Sequence, residues 1–183
     1  MKINKVTTHL KTVLRHKKEV FLLMNHFNMP LQGLLHDMSK FTPVEFMESI
    51  KYANGKRSPV EISREVNGYS KAWLHHKGRN KHHWEYWVDK YLDGGVGCIM
   101  PYEYAVEMFC DMVAASKVYK GKNFTTQCPL DYYNSHDYKQ FMHPMIKKFL
   151  SNMFSLYTKV GDSIEKENAR FIYDELQKKY GGK

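Results

Sequence analysis

His36 and Asp37 stand side by side in the run Leu34-Leu35-His36-Asp37-Met38-Ser39-Lys40. An adjacent imidazole and carboxylate, joined by ligands from distant helices, can hold a divalent transition metal that neither residue would hold alone. Other residues bear on the same chemistry. His16 falls on an apolar stripe with Val13, Val20 and Leu23, four histidines crowd together at His75, His76, His82 and His83, and Asp111 shares a face with Tyr104, Met108, Ala115 and Val118. A lone histidine on such a stripe, as at His16, is more often a hydrogen-bonded core residue than a ligand. An inward aspartate is different: burying its charge is costly unless a cation or strong donors compensate it.

The elements that position these residues are helices. Apolar residues recur at helical intervals almost throughout and no run of alternating β-branched residues signals a sheet, so the expected fold is all-α. A first helix spans about residues 5 to 27 and stops at Asn28-Met29-Pro30; a short one over about 31 to 39 carries His36 and Asp37. Thr42-Pro43-Val44-Glu45 and Ser58-Pro59-Val60-Glu61 each pair an N-cap hydroxyl with proline at the first helical position and glutamate three residues after the cap. The second of these helices is expected to reach about Lys77, ending in His75 and His76 before Gly78. Another runs from near His82 through Trp84 and Trp87 to Tyr91. Pro101 opens the helix bearing Asp111, residues 120 to 140 read as a long ordered loop, and helices over about 141 to 159 and 163 to 180 follow, the last capped by Asp162 with Glu165 in the box position.

Composition narrows the classes. A chain of 183 residues suits one domain, its 43% hydrophobic content excludes disorder, and no stretch has the uncharged length of a membrane span. The cationic N-terminus lacks an apolar signal core, so export is not expected. Cys98, Cys110 and Cys128 form no C-x-x-C pair, which fits a reducing cytoplasm. The net charge of +9 raises nucleic-acid binding as a possibility. Lys147, Lys148, Lys178 and Lys179, however, sit at helical spacing opposite apolar residues and solvate an outer face, and a basic chain also attracts small phosphorylated anions.

In its order of ligand types the chain resembles the HD-domain superfamily of metal-dependent phosphohydrolases. That pattern is a histidine on one helix, a His-Asp doublet, two further histidines in members that bind two metals, and a later aspartate. Here the matching residues are His16, His36, Asp37, His76, His83 and Asp111, with Lys40 three residues after the doublet's aspartate as is common in the superfamily. The resemblance covers about residues 10 to 120 and implies an HD-like helical bundle, with a C-terminal helical extension over about 138 to 180. A second dipeptide, His136-Asp137, has no apolar flank and reads as a decoy. The glycine-rich signature of cyclic-dinucleotide phosphodiesterases is missing. Of the dense histidine cluster, His76 lies near the stripe of Trp73 and His83 falls with Trp87, leaving His75 and His82 as outer supports.

The resemblance implies a hydrolase of a small phosphate ester that uses one or two divalent ions (Fe, Mn, Co, Ni or Zn) to activate water. The metal set would be His16, His36, Asp37, His76, His83 and Asp111, with Asp37 and Lys40 catalytic, and Lys40, Arg79 and Lys117 meeting substrate phosphate. A nucleotide is the favoured substrate, with Trp84, Tyr86 and Tyr102 as stacking faces. Glu45 and Glu48 are candidate proton carriers, or else solvent-facing carboxylates on an amphipathic helix. Two other readings compete: a di-iron oxygenase on the same scaffold, and a non-catalytic helical domain that binds nucleic acid through its lysines.

Overall fold

A computed structural model describes residues 4–89, 97–135 and 138–181, and among these every regular element is helical. The all-α expectation holds. No described helix is long and apolar enough to cross a membrane.

Helix α1 (Lys5–His26) starts where the Asn4 side chain accepts from the Thr7 amide at 3.2 Å, and it buries one face through His9, Val13, His16, Val20, Leu23 and Met24. Asn28, at φ 61°, turns the chain back into α2 (Pro30–Leu35). The two pack so closely that a Cβ on Gly33 would stand 2.7 Å from Met24 Cβ and 3.2 Å from Phe21 Cα. The expected helix over 31 to 39 ends early, at Leu35. His36 is extended, Asp37 is left-handed at φ 56°, and Met38–Phe41 form a 3₁₀ turn. Lys17 on α1 holds this break: its ammonium donates to the carbonyls of Leu34 (3.1 Å) and His36 (2.5 Å), the groups a longer helix would have paired internally.

The prolines mark α3 (Pro43–Tyr52) and α4 (Pro59–Asn67) as expected, but neither Thr42 nor Ser58 caps with its side chain. Thr42 donates instead to the Ser39 carbonyl at 2.7 Å. The single helix expected up to Lys77 is two. Gly68, at φ 76°, ends α4, and Ser70 starts α5 (Lys71–Lys77) by accepting from the Trp73 amide. Glu48 of α3 fixes the junction, accepting from Ser63 Oγ (2.9 Å), Ser70 Oγ (2.6 Å) and the Lys71 amide (3.2 Å). The helix expected from near His82 to Tyr91 is only a 3₁₀ turn at Trp84–Trp87, because the chain is extended at His83 before it and at Val88 after it; residues 90 and 91 lie outside the described residues, as does the His136-Asp137 decoy.

Helix α6 (Tyr102–Lys120) is the central rod, with Ala105 to Cys110 and Met112 to Ala114 all buried. The segment expected as loop contains α7 (Cys128–Ser135). Helices α8 (Pro144–Val160) and α9 (Lys166–Tyr180) follow. Asp162 does not cap α9, whose N-cap position is Glu165; it accepts from the Tyr157 hydroxyl at 2.8 Å and pairs with Lys117 at 2.6 Å. Phe149, Leu150, Met153, Phe154 and Tyr157 of α8 pack under Phe109 of α6, and the Tyr173 hydroxyl of α9 donates to the Met100 carbonyl at 2.6 Å. The C-terminal helices thereby clamp α6 against α1, which puts His16 opposite Asp111.

Candidate metal centre

Four elements converge. Helix α1 supplies His16, the break after α2 supplies His36 and Asp37, α5 and the following turn supply His76, His82 and His83, and α6 supplies Glu107 and Asp111. His16 Nε2 lies 2.9 Å from Asp111 Oδ1, 3.3 Å from His36 Nε2 and 3.8 Å from Asp37 Oδ2; His36 Nε2 lies 3.1 Å from Asp37 Oδ2 and 3.5 Å from Asp111 Oδ1. Ligands about 2.1 Å from a transition metal stand roughly 3.0 Å apart in an octahedron and roughly 3.4 Å apart in a tetrahedron, so these spacings suit a coordination sphere. A second set forms on the other oxygen of the same carboxylate: Asp37 Oδ1 lies 3.2 Å from His76 Nε2 and 3.4 Å from His82 Nε2, and His83 completes the group.

Carboxylates behind the imidazoles fix which nitrogen faces the centre. Glu107 Oε1 accepts from His36 Nδ1 at 2.8 Å and from His82 Nδ1 at 3.1 Å, while Glu45 Oε2 accepts from His76 Nδ1 at 2.7 Å. An ionised carboxylate only accepts, so each Nδ1 carries a proton and the inward Nε2 is the ligand atom, the usual arrangement of carboxylate, histidine and metal. Both oxygens of Asp37 and Nε2 of His82 and of His83 are buried without a well-directed hydrogen bond from the protein. Convergent buried ligand atoms of this kind, with only the Lys40 ammonium and the surrounding imidazoles beside the Asp37 carboxylate, could hold a cation.

The electrostatics agree. Burial opposes charge on Asp37 and Asp111, yet the histidines around them, with Lys40 beside Asp37, hold both carboxyls well below the usual range. Burial also opposes charging of His76 and His36, but Asp37 outweighs it, lifting His76 to about 9 and His36 well above its ordinary value. The field that draws a proton to these nitrogens would draw a metal ion equally. His83 is held neutral by burial and by the charges of His82 and His76. Burial penalises the Glu107 carboxylate too, but hydrogen bonds from His36 and His82 bring it down to about 2.

The structure brings together all six residues named from the sequence pattern and adds His82, expected only as an outer support but 2% exposed and inside the second set. His75 does stand outside, donating to Glu45 at 2.6 Å. Lys40 pairs with Asp37 Oδ2 at 2.5 Å, and Asp37 keeps it charged despite burial. The other two expected phosphate-binding cations are corrected. Lys117 is tied to Asp162 and Glu19, and Arg79, in the turn that follows α5, is exposed and donates to the His75 carbonyl at 3.4 Å; neither lines the cleft over the cluster. Of the expected stacking rings, Trp84 lines the cleft over the cluster, whereas Tyr86 packs on Trp87 and Tyr102 on Tyr173. Glu45 and Glu48 are not solvent-facing: Glu45 is 2% exposed and orients His75 and His76, and Glu48 binds the α4–α5 junction. Glu107 went unread, although an acid one helical turn before Asp111 in the apolar run Ala105 to Val113 was the available signal.

Asp37, His16, His76, His83, Asp111 and Lys40 open onto a cleft of about 470 Å³. A seven-residue His/Asp cluster at the foot of a cleft in an all-helical chain is thus a candidate metal centre. The chain belongs to the family of unknown function DUF5662, whose model matches residues 5–156 and so spans the whole cluster. No curated protein and no solved structure matches it.

Proposed function

We propose that this chain is a metal-dependent hydrolase of a small phosphate ester, with a nucleotide as its substrate. The observation that carries the reading is the shared carboxylate of Asp37, one oxygen on each of two ligand sets whose imidazoles are aimed by Glu107 and Glu45. Two divalent ions of iron, manganese, cobalt, nickel or zinc are what such N/O donors accept. When bound, the metal would supply Lewis acidity and an activated water. Asp37 holds the two sets in register, Lys40 sets a permanent cation beside the reacting phosphate, and Trp84 and Trp73 give the cleft apolar faces for a base. Arg64 lines the cleft over the Trp73 ring and adds positive charge that Arg79 and Lys117 do not deliver there. The free thiols of Cys98, Cys110 and Cys128 suit a reducing cytoplasm.

The test is metal analysis of the purified protein followed by a phosphate-release screen over nucleotides with manganese or cobalt, with and without dioxygen. Metal-dependent release that ignores dioxygen supports the proposal. Turnover only with iron and dioxygen would establish the oxygenase alternative, and salt-sensitive nucleic-acid binding that survives chelation would establish the non-catalytic one.

A further inference from the structure

The cleft has a second end that hydrolysis at the cluster leaves unused. His9 lies two turns before His16 on the same face of α1, roughly 10 Å along the axis. It lines the cleft at 6% exposure, packs on Phe46 at 5.6 Å, and its buried Nε2 has no partner. Its neighbour Thr8 touches the turn at residue 55, where a Cβ on Gly55 would come within 3.0 Å of Thr8 Cγ2. That turn leads through Lys56 and Arg57 into α4. The first turn of α4 has no side-chain cap, so its leading amides lack a protein partner of that kind.

Charge points the same way. Lys56, Arg57 and Lys120 line the cleft against Glu61. Arg57 is engaged by Glu61 at 3.8 Å and by Glu65, but Lys56 and Lys120 have no carboxylate partner among the described residues. Burial and Lys40 keep His9 neutral, so its imidazole retains one N–H to donate.

We propose that this end of the cleft, built by His9, Lys56, Lys120 and the first turn of α4, binds a second anionic group of the substrate. The preferred ester then carries another phosphate or a carboxylate within roughly 10 Å of the phosphate that is hydrolysed. This specificity rests on the hydrolase reading, whereas the anion site itself does not.

Inorganic phosphate titrated into the purified full chain, followed through the imidazole resonances of His9, tests the site directly; His9→Gln assigns them. A saturable shift is expected, retained in His83→Ala and weakened roughly tenfold in the double variant Lys56→Ala/Lys120→Ala, whose melting curve reports that it is folded. In turnover, a nucleoside bisphosphate should show a KM roughly tenfold below that of the matching monophosphate, a preference erased by His9→Phe, kept by His9→Gln, and unaccompanied by a change in kcat on the monophosphate. A His9 that ignores phosphate, a double variant that binds as wild type, or equal KM values overturn the proposal. A silent His9 in an active enzyme removes this subsite alone; a responsive His9 in a protein without hydrolytic activity upholds the anion site and removes the hydrolase reading.

Discussion

Glu107→Gln is the most informative single change, because it keeps the shape of the side chain and alters only what the two oxygens can accept. Three donors converge on this carboxylate: His36 Nδ1 at 2.8 Å and His82 Nδ1 at 3.1 Å on Oε1, and Gln32 Nε2 at 2.5 Å on Oε2. A glutamine offers one accepting oxygen and an amide that itself donates. Whichever way it turns, at least one donor–donor contact is made in a site 5% exposed to solvent. If the amide faces the histidines, the relief is a tautomer flip that moves the proton of His36 or His82 from Nδ1 to Nε2, onto the nitrogen that faces Asp37. Loss of such an orienting carboxylate typically costs 10- to 100-fold in metal affinity, or about 1.4–2.8 kcal/mol. Because Glu107 touches one histidine of each ligand set, both ions should weaken together. Competition against a graded chelator, read by elemental analysis, measures the affinity, and far-ultraviolet circular dichroism reports the helices. A folded Glu107→Gln protein that retains metal as tightly as wild type would refute the reasoning that these carboxylates fix the ligand atoms.

Asp37→Ala removes a donor from both sets and should abolish metal retention and turnover while leaving most helicity; a variant that still binds two ions would contradict the shared-carboxylate geometry. Metal affinity should rise with pH. The proton on His76, held up to about 9 by Asp37 against the effect of burial, competes for Nε2, so apparent affinity climbs by up to roughly tenfold per unit until that pKa is passed and then levels; a flat titration would show that His76 does not ligate. Gly33→Ala would press a methyl to 2.7 Å from Met24 Cβ and should destabilise by about 1–3 kcal/mol, lowering the melting temperature by roughly 2–4 °C for each kcal/mol. Lys17→Met should weaken metal binding without comparable loss of thermal stability, since its ammonium holds the carbonyls of Leu34 and His36 at the turn that presents Asp37.

Much of this was legible in the chain. The prolines at 30, 43, 59, 101 and 144 mark helix starts because each fixes φ where an amide proton is dispensable, and the apolar period of α1 and α6 places His16 and Asp111 inward. What stayed hidden depends on long-range contacts. Nothing local says that Asp37 adopts φ 56°, since that backbone is stabilised by Lys17, twenty residues away along the chain. The split of α4 from α5 is set by Glu48 of α3 as much as by Gly68. His82 and His83 sit in a turn, where helical spacing carries no information, so choosing between them by stripe excluded His82, the more deeply buried of the two. Helix α7 lacks an unbroken apolar stripe, and its polar, proline-bearing sequence looks like a loop until Tyr133 is seen against Phe154.

The double use of Asp37 has a practical corollary for dissecting the two positions. Lesions there, or at Glu107 behind the histidines, would strip both candidate sites together and could not say which one the proposed chemistry needs. Only side chains with a single allegiance can separate them: His16 for one position, and His76 or His83 for the other. Protein half-emptied by such a change, assayed for the proposed hydrolysis, would reveal whether one occupied position suffices or whether neither works alone.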